Sequence, residues 1–266
     1  SKIVMVPNGI DVHACHYISN DERKINKGML GKSGKRVVFI GSAHGPNIES
    51  VQYILKELAA KNHNIHYTII GNVNLAFKEK IIPQNVHFTG MISEEEKRNI
   101  YRTADLSINP MFSGSGTNLK VLEYLSCGIP LVSTEFGMRG LEVFNNYIYI
   151  AQKEDFLEAI EKTFSLPAEI LENNSKEARK ICEGNFDKSV IAEGLINIIK
   201  KTEEIREKRK NRVNIAIEGR ILHRNISGSE RYIYELIKNI PKIDQESEYE
   251  YRLVNKTGFK VNGVSN

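Results

Sequence analysis

The chain has 266 residues, of which 41% are hydrophobic and 26% charged, with Gly and Pro at ordinary levels. That is room for one large or two small domains with a buried core. A formal charge of +4 and a pI near 8.8 suit anionic small molecules and a weak membrane-surface contact. The excess is too small, and too mixed with acids, to point to nucleic acid. No apolar run approaches the roughly 18 residues of a membrane span, and the start does not resemble a signal peptide. The chain opens at Ser1 and enters a strand-like stretch at once, as a piece cut from a longer protein would. Cys15, Cys127 and Cys182 are odd in number and form no CxxC pair. They read as reduced thiols of a cytoplasmic protein, with neither a disulfide nor a metal site.

Six short apolar runs predict strands at residues 37–40, 66–70, 86–88, 106–108, 131–133 and 147–150. Helical spacing separates them. Ile48, Val51, Leu55 and Leu58 share one face, with Pro46 at the expected first helical position. Ser93 and Glu96 have the spacing of a capping box. Strands this apolar, alternating with helices, predict a doubly wound α/β domain whose parallel sheet is covered on both faces. Helices are expected at 153–165, 168–183 and 187–210, the last ending in a charged run from Lys200 to Arg212. The strand pattern restarts at 213–218. A Gly-containing turn at 227–229, a helix to about residue 240 and a last strand at 251–254 follow.

The segment from Phe112 to Glu123, FSGSGTNLKVLE, follows the fourth expected strand and enters a helix predicted to start near Thr117. In a doubly wound sheet, ligands bind beyond the carboxyl ends of the strands. Gly114 and Gly116 admit a ligand close to the backbone, and the helix start offers free N–H groups and a positive dipole end to a diphosphate. Lys120 adds a full charge, and Glu123 is placed to accept hydrogen bonds from ribose hydroxyls. A plainer reading makes Lys120 and Glu123 an exposed ion pair on a helix. The residues alone leave both open.

The segment resembles the donor site of retaining GT-B glycosyltransferases of family 4, in the variant whose loop runs GSGT-x-LKxLE. Other stretches match in order: VPNGID at 6–11 is similar to the hinge that opens the family's C-terminal domain. FIGSAHGPN at 39–47 is similar to its first strand and donor loop, and HFTG at 87–90 to the strand beside the base. GIPLVSTEFGMRGL at 128–141 is similar to the stretch after the donor helix.

The resemblance covers about residues 3–200. It implies a GT-B C-terminal, Rossmann-like domain that binds a nucleotide-diphosphate sugar without metal or cofactor. Ser42, His44, Gly114, Ser115, Gly116, Thr117, Asn118, Leu119 and Lys120 would surround the diphosphate. Glu123 would hold the ribose, and Gly90 and Met91 would lie near the base. The implied reaction is retaining sugar transfer to a glycan or lipid-linked acceptor, on the inner side of the membrane. The acceptor site would belong to a partner N-terminal GT-B domain absent from this chain, so no catalytic residue is assigned.

Two departures bear on activity. The family's two glutamates are spaced E-x7-E, and Ser115 stands where the first is expected. The Arg and Lys usual near the first strand are also replaced, by Ser42-Ala-His44-Gly. A non-catalytic nucleotide-binding scaffold and a GT-B-shaped sugar-nucleotide epimerase are therefore retained as alternatives. Gly31-Lys32-Ser33 is not the end of a P-loop, because Asn26 occupies the glycine position and the motif precedes a strand. Cys127 reads as a core thiol.

The tail from Val213 to Leu236 is similar to the opening of the N-terminal domain in the same enzymes. It implies a donor-binding domain at 1–200, a charged linker at 201–212 and, at 213–266, the start of a second transferase. On that reading the natural chain extends beyond both Ser1 and Asn266. An appended strand and helix is the simpler alternative.

Overall fold

A computed structural model describes residues 5–78, 80–207, 215–218 and 251–254. The chain divides into two compact units, His13–Glu183 and a second made of Ser1–Val12 with Gly184–Asn266.

The first unit is built on a six-stranded parallel sheet in the order β3-β2-β1-β4-β5-β6. Its strands are β1 (Lys35–Ile40), β2 (Ile65–Ile70), β3 (Val86–Gly90), β4 (Leu106–Asn109), β5 (Leu131–Ser133) and β6 (Tyr149–Ile150). All six expected strands are present, and β6 is shorter than expected. Every residue of β4 and β5 is buried, as a sheet covered on both faces requires. The core gathers Val37 and Phe39 of β1, Ile69 of β2 and Ile108 of β4 against Val51, Ile54 and Leu58.

Helices α1 (Asn20–Met29), α2 (Gly45–Tyr53), α3 (Glu94–Tyr101), α4 (Leu119–Ser126), α5 (Phe156–Phe164) and α6 (Ala168–Ile181) cover the sheet. Pro46 lies in the first turn of α2, which continues as a π-helical stretch, Ile54–Ala59. Ser93 and Glu96 form the expected capping box on α3. The helix α1 has no counterpart among the sequence expectations. A second capping box, Ser19 with Glu22, starts it, and Arg23 is its buried residue.

In the second unit, Gly9 explains the VPNGID stretch. A side chain there would overlap Phe186 O and the Ile191 side chain. Ile10 N–H donates to Phe186 O (2.9 Å), Lys188 N–H returns a bond to Ile10 O (3.0 Å), and Val12 N–H donates to Asp187 Oδ2 (2.9 Å). Helix α7 (Lys188–Glu207) follows. The strands β7 (Ile215–Glu218) and β8 (Tyr251–Val254) pair in parallel. The expected turn at 227–229 and helix to about 240 lie outside the described residues.

Candidate functional site

The strand order reverses between β1 and β4, whose chains leave in opposite directions around the sheet. Such a switch point opens a crevice at the carboxyl edge. The pairing of β1 with β4 runs only through Val37↔Leu106 and Val38↔Ser107. Beyond it the Ile40 N–H is satisfied by Tyr124 Oη of α4 at 2.7 Å. Helix α4 is thus tied across the opening, with Tyr124 fully buried.

Two loops meet at this crevice. The first carries Ser42 and His44 from β1 into α2; the second, residues 110–118, carries the glycines from β4 into α4. His44 precedes α2 in extended backbone, and its side chain caps nothing. Ser42 and His44 are exposed. The loops are joined by Asn47. Its Nδ2 donates to Ser42 O and Oγ, both at 3.2 Å, and its Oδ1 accepts from Lys120 Nζ at 2.8 Å. Ser113 Oγ donates to Glu49 Oε2 at 2.5 Å, and a methyl on Gly114 would meet Pro46 at 3.1 Å. Gly114 also has φ +115°, where side chains are strained.

Helix α4 starts at Leu119, with Asn118 as its N-cap, two residues later than expected at Thr117. Glycines with positive φ at 114 and 116 keep the preceding chain out of helical conformation. The Asn118 side chain turns to Gly137 O at 2.8 Å instead of capping α4. Among the described residues, the backbone N–H groups from Gly114 to Lys120 have no hydrogen-bond acceptor. That run of amides includes the start of a helix, the arrangement that receives anions.

Lys120 and Glu123 do not pair with each other. The Lys120 ammonium lies over the Phe39 ring at 4.3 Å, beside Asn47, with no carboxylate in reach among the described residues. Burial lowers its pKa to about 7. Glu123 Oε1 instead binds Lys97 Nζ of α3 at 2.6 Å, and Lys97 also reaches Glu94 Oε2 at 2.8 Å. Burial works against the Lys97 charge, but the two carboxylates together raise its pKa.

Along the same edge, Gly41 and Gly71 extend the strand pattern past β1 and β2, beside Gly90 at the end of β3. Gly41 N–H donates to Ile70 O and Gly71 N–H to Gly90 O, each at 2.9 Å. Gly71 has φ +104°, and a side chain there would overlap Gly41 O. Gly90 closes β3, and Met91 beyond it is 77% exposed. Both therefore lie on the carboxyl edge, two strands from the crevice. Two positioning residues escaped the sequence reading. Asn47, in the FIGSAHGPN stretch, and Lys97, one residue after the capping-box Glu96, carry no local pattern that marks these contacts. Cys127 is buried near Cys15, and all three thiols are free. No group of three or more His, Cys, Asp or Glu able to hold a metal occurs among the described residues. No described helix is long and apolar enough to cross a membrane.

Residues 34–165 match the family model described as "Glycosyl transferases group 1". The chain is 23% identical over 190 residues to the alpha-galactosylglucosyldiacylglycerol synthase of Streptococcus pneumoniae, covering 68% of this chain and 50% of that protein. The sucrose-phosphate synthase of Thermosynechococcus elongatus has a similar structure, with TM-score 0.59 and 16% identity over 76% of this chain and 53% of the other. Anabaena Alr3699/HepE, solved with UDP-glucose, gives TM-score 0.56 and 15% identity over 73% and 56%. The chain spans about half the length of these proteins. Residues 34–165 are thus similar to the group 1 glycosyl transferases, and the six-stranded parallel α/β fold is shared with glycosyltransferase structures of the GT-B type.

Proposed function

We propose that this chain binds a nucleotide-diphosphate sugar at the β1/β4 switch point and serves retaining, metal-independent sugar transfer to a glycan or lipid-linked acceptor. The observation that carries this reading is the unpartnered run of N–H groups from Gly114 to Lys120, beside an ammonium without a carboxylate. A diphosphate supplies the acceptor atoms for those donors and the counter-charge for Lys120. Glu123 keeps Oε2 free for a ribose hydroxyl while Lys97 holds Oε1. In transfer, the same amides and Lys120 stabilise the charge that develops on the departing diphosphate.

Ser115, at the position of the expected first glutamate, leaves no carboxylate on this loop to meet the sugar. We therefore assign to this chain donor binding and leaving-group stabilisation, and to a partner N-terminal domain the acceptor site. The parallel pairing of β7 and β8 supports reading 213–266 as the opening of a further α/β unit, since parallel neighbours require a crossover connection.

A thermal-shift screen with UDP, GDP, ADP, CMP and their sugars tests the donor reading. A clear rise in melting temperature with one nucleotide diphosphate and its sugar is expected. Silence across the panel would favour the scaffold alternative.

A further inference from the structure

The turn after β5 makes a contact that the donor reading leaves unused. Arg139 Nη1 donates to Gly114 O at 3.3 Å and Nη2 donates to Gly116 O at 3.1 Å. Its guanidinium stacks on the Phe136 ring at 3.8 Å. Arginine suits this geometry because its planar fork can hold two acceptors while one face rests on an aromatic ring.

The turn that carries Arg139 is itself fixed. Met138 and Leu141, on either side, are buried. Gly137 is packed so closely that a methyl would meet Asn109 Nδ2 at 2.5 Å, and its carbonyl accepts from the Asn109 and Asn118 amides. The guanidinium therefore reaches the loop from a rigid base. Among the described residues its contacts are these two carbonyls and the Phe136 ring.

In a trans peptide the N–H points opposite to the C=O of the same plane. Gripping the carbonyls of Gly114 and Gly116 thus aims the N–H groups of Ser115 and Thr117 away from the guanidinium. Those two amides belong to the unpartnered run described above. Without the clamp, two glycines in a short exposed loop would let these peptide planes rotate.

We propose that Arg139 is a positioning residue that sets the orientation of the donor-loop amides and thereby the affinity for a diphosphate, without touching the nucleotide. The proposal rests on the donor reading for its ligand, while the order of the free loop can be measured without one. The test compares Arg139→Ala and Arg139→Lys with wild type, using UDP and uridine as probes and the ¹⁵N–¹H heteronuclear NOE of the free chain as a measure of loop order.

Arg139→Ala is expected to weaken UDP binding about tenfold, the scale of one lost charge-assisted hydrogen bond, and to leave uridine binding unchanged. The NOE values of Ser115, Gly116 and Thr117 should fall, and those of β1 and β4 should stay the same. Arg139→Lys, with one ammonium for two carbonyls, should lie between. Wild-type UDP affinity in Arg139→Ala would overturn the proposal. So would a loss of UDP binding with loop NOE values unchanged, which would mean that Arg139 meets the ligand directly. Weakened UDP and uridine binding together in a folded variant would also overturn it. If wild type binds no UDP, the donor reading for UDP fails, and the NOE comparison alone decides whether the clamp exists.

Discussion

Lys97 Nζ lies 2.6 Å from Glu123 Oε1, joining α3 to the second turn of α4 through side chains that are 15% and 22% exposed. The pair fixes the carboxylate assigned to the ribose before any ligand arrives. Glu123→Ala should weaken nucleotide affinity by about 1.5–3 kcal/mol, the range for hydrogen bonds to a charged group. It should also remove any preference for UDP over 2′-deoxy-UDP or 3′-deoxy-UDP. Titration calorimetry on the three ligands checks this. Unchanged affinity would place the ribose elsewhere. Because Lys97 retains Glu94 as a partner, the variant is expected to stay folded.

A second expectation concerns pH. The free Lys120 ammonium, depressed by burial to about 7, is partly deprotonated at neutral pH. A bound diphosphate stabilises the charged form and raises that pKa, so binding above pH 7 takes up a proton. Affinity for UDP should therefore fall as pH rises from 7 to 9, with proton uptake visible by calorimetry in buffers of different ionisation enthalpy. Lys120→Arg cannot lose its charge in this window and should flatten the profile. The stability of the free chain should run the other way. The unfolded lysine binds more protons between about pH 7 and 10, so this residue's contribution to stability rises over that window. Opposite slopes for binding and stability would identify Lys120 as their common source.

The sheet was legible because its strands are buried on both faces. Leu131, Val132 and Ser133 form an uninterrupted interior run, and such runs show without knowledge of the fold. Helix α1 was missed for the opposite reason. Its sequence NDERKINKGM has only Ile25 and Met29 as large apolar residues, both exposed, and its buried residue is an arginine. The signal present was the Ser19–Glu22 capping box, the same signature that was read correctly at Ser93 and Glu96. In the site, the Gly-Ser-Gly loop could be read because close approach of backbone to ligand demands glycine. The start of α4 was misplaced by two residues because the N-cap is Asn118, whose side chain serves Gly137. The partners Lys97–Glu123 and Arg139–Gly114 depend on how α3 and the β5 turn meet the loop, and no local pattern encodes that.

Arg23 is 2% exposed, and its Nη2 donates to Cys127 O at 2.8 Å, at the carboxyl end of α4. Arg179 Nη1 reaches Ser126 O on the same end at 2.5 Å. Two guanidiniums thus satisfy carbonyls where the helix dipole is negative, opposite to the end assigned to the diphosphate. Arg23→Met keeps volume but leaves Cys127 O with only the longer bond from Ile18 N–H at 3.3 Å, a loss expected to cost about 1 kcal/mol. Arg23→Ala should cost more, because a cavity is added. Urea unfolding of both variants checks the order. Burial has already lowered the Arg23 pKa to about 10, so part of the loss is offset by relief of that desolvation. If Arg23→Met proves as stable as wild type, the Ile18 N–H alone satisfies the carbonyl.

Gly71 gives the sharpest structural prediction. Its φ of +104° strains any side chain, and a β-carbon there would overlap Gly41 O. The atom it would displace is backbone, held in place because Gly41 O accepts from Val73 N–H at 3.3 Å and Gly41 N–H donates to Ile70 O at 2.9 Å. Gly71→Ala should therefore destabilise by more than about 2 kcal/mol, combining left-handed strain with a clash that no rotamer relieves. Its effect should extend to the donor loop, because Gly41 leads directly into Ser42 and His44. A neighbouring glycine supplies the control. Gly45 has open space around its missing β-carbon and no positive φ, so Gly45→Ala should leave stability within about 0.5 kcal/mol of wild type. Equal melting temperatures for the two variants would mean that the carboxyl edge tolerates a side chain at Gly71, and that the glycine ladder does not hold the first donor loop in place.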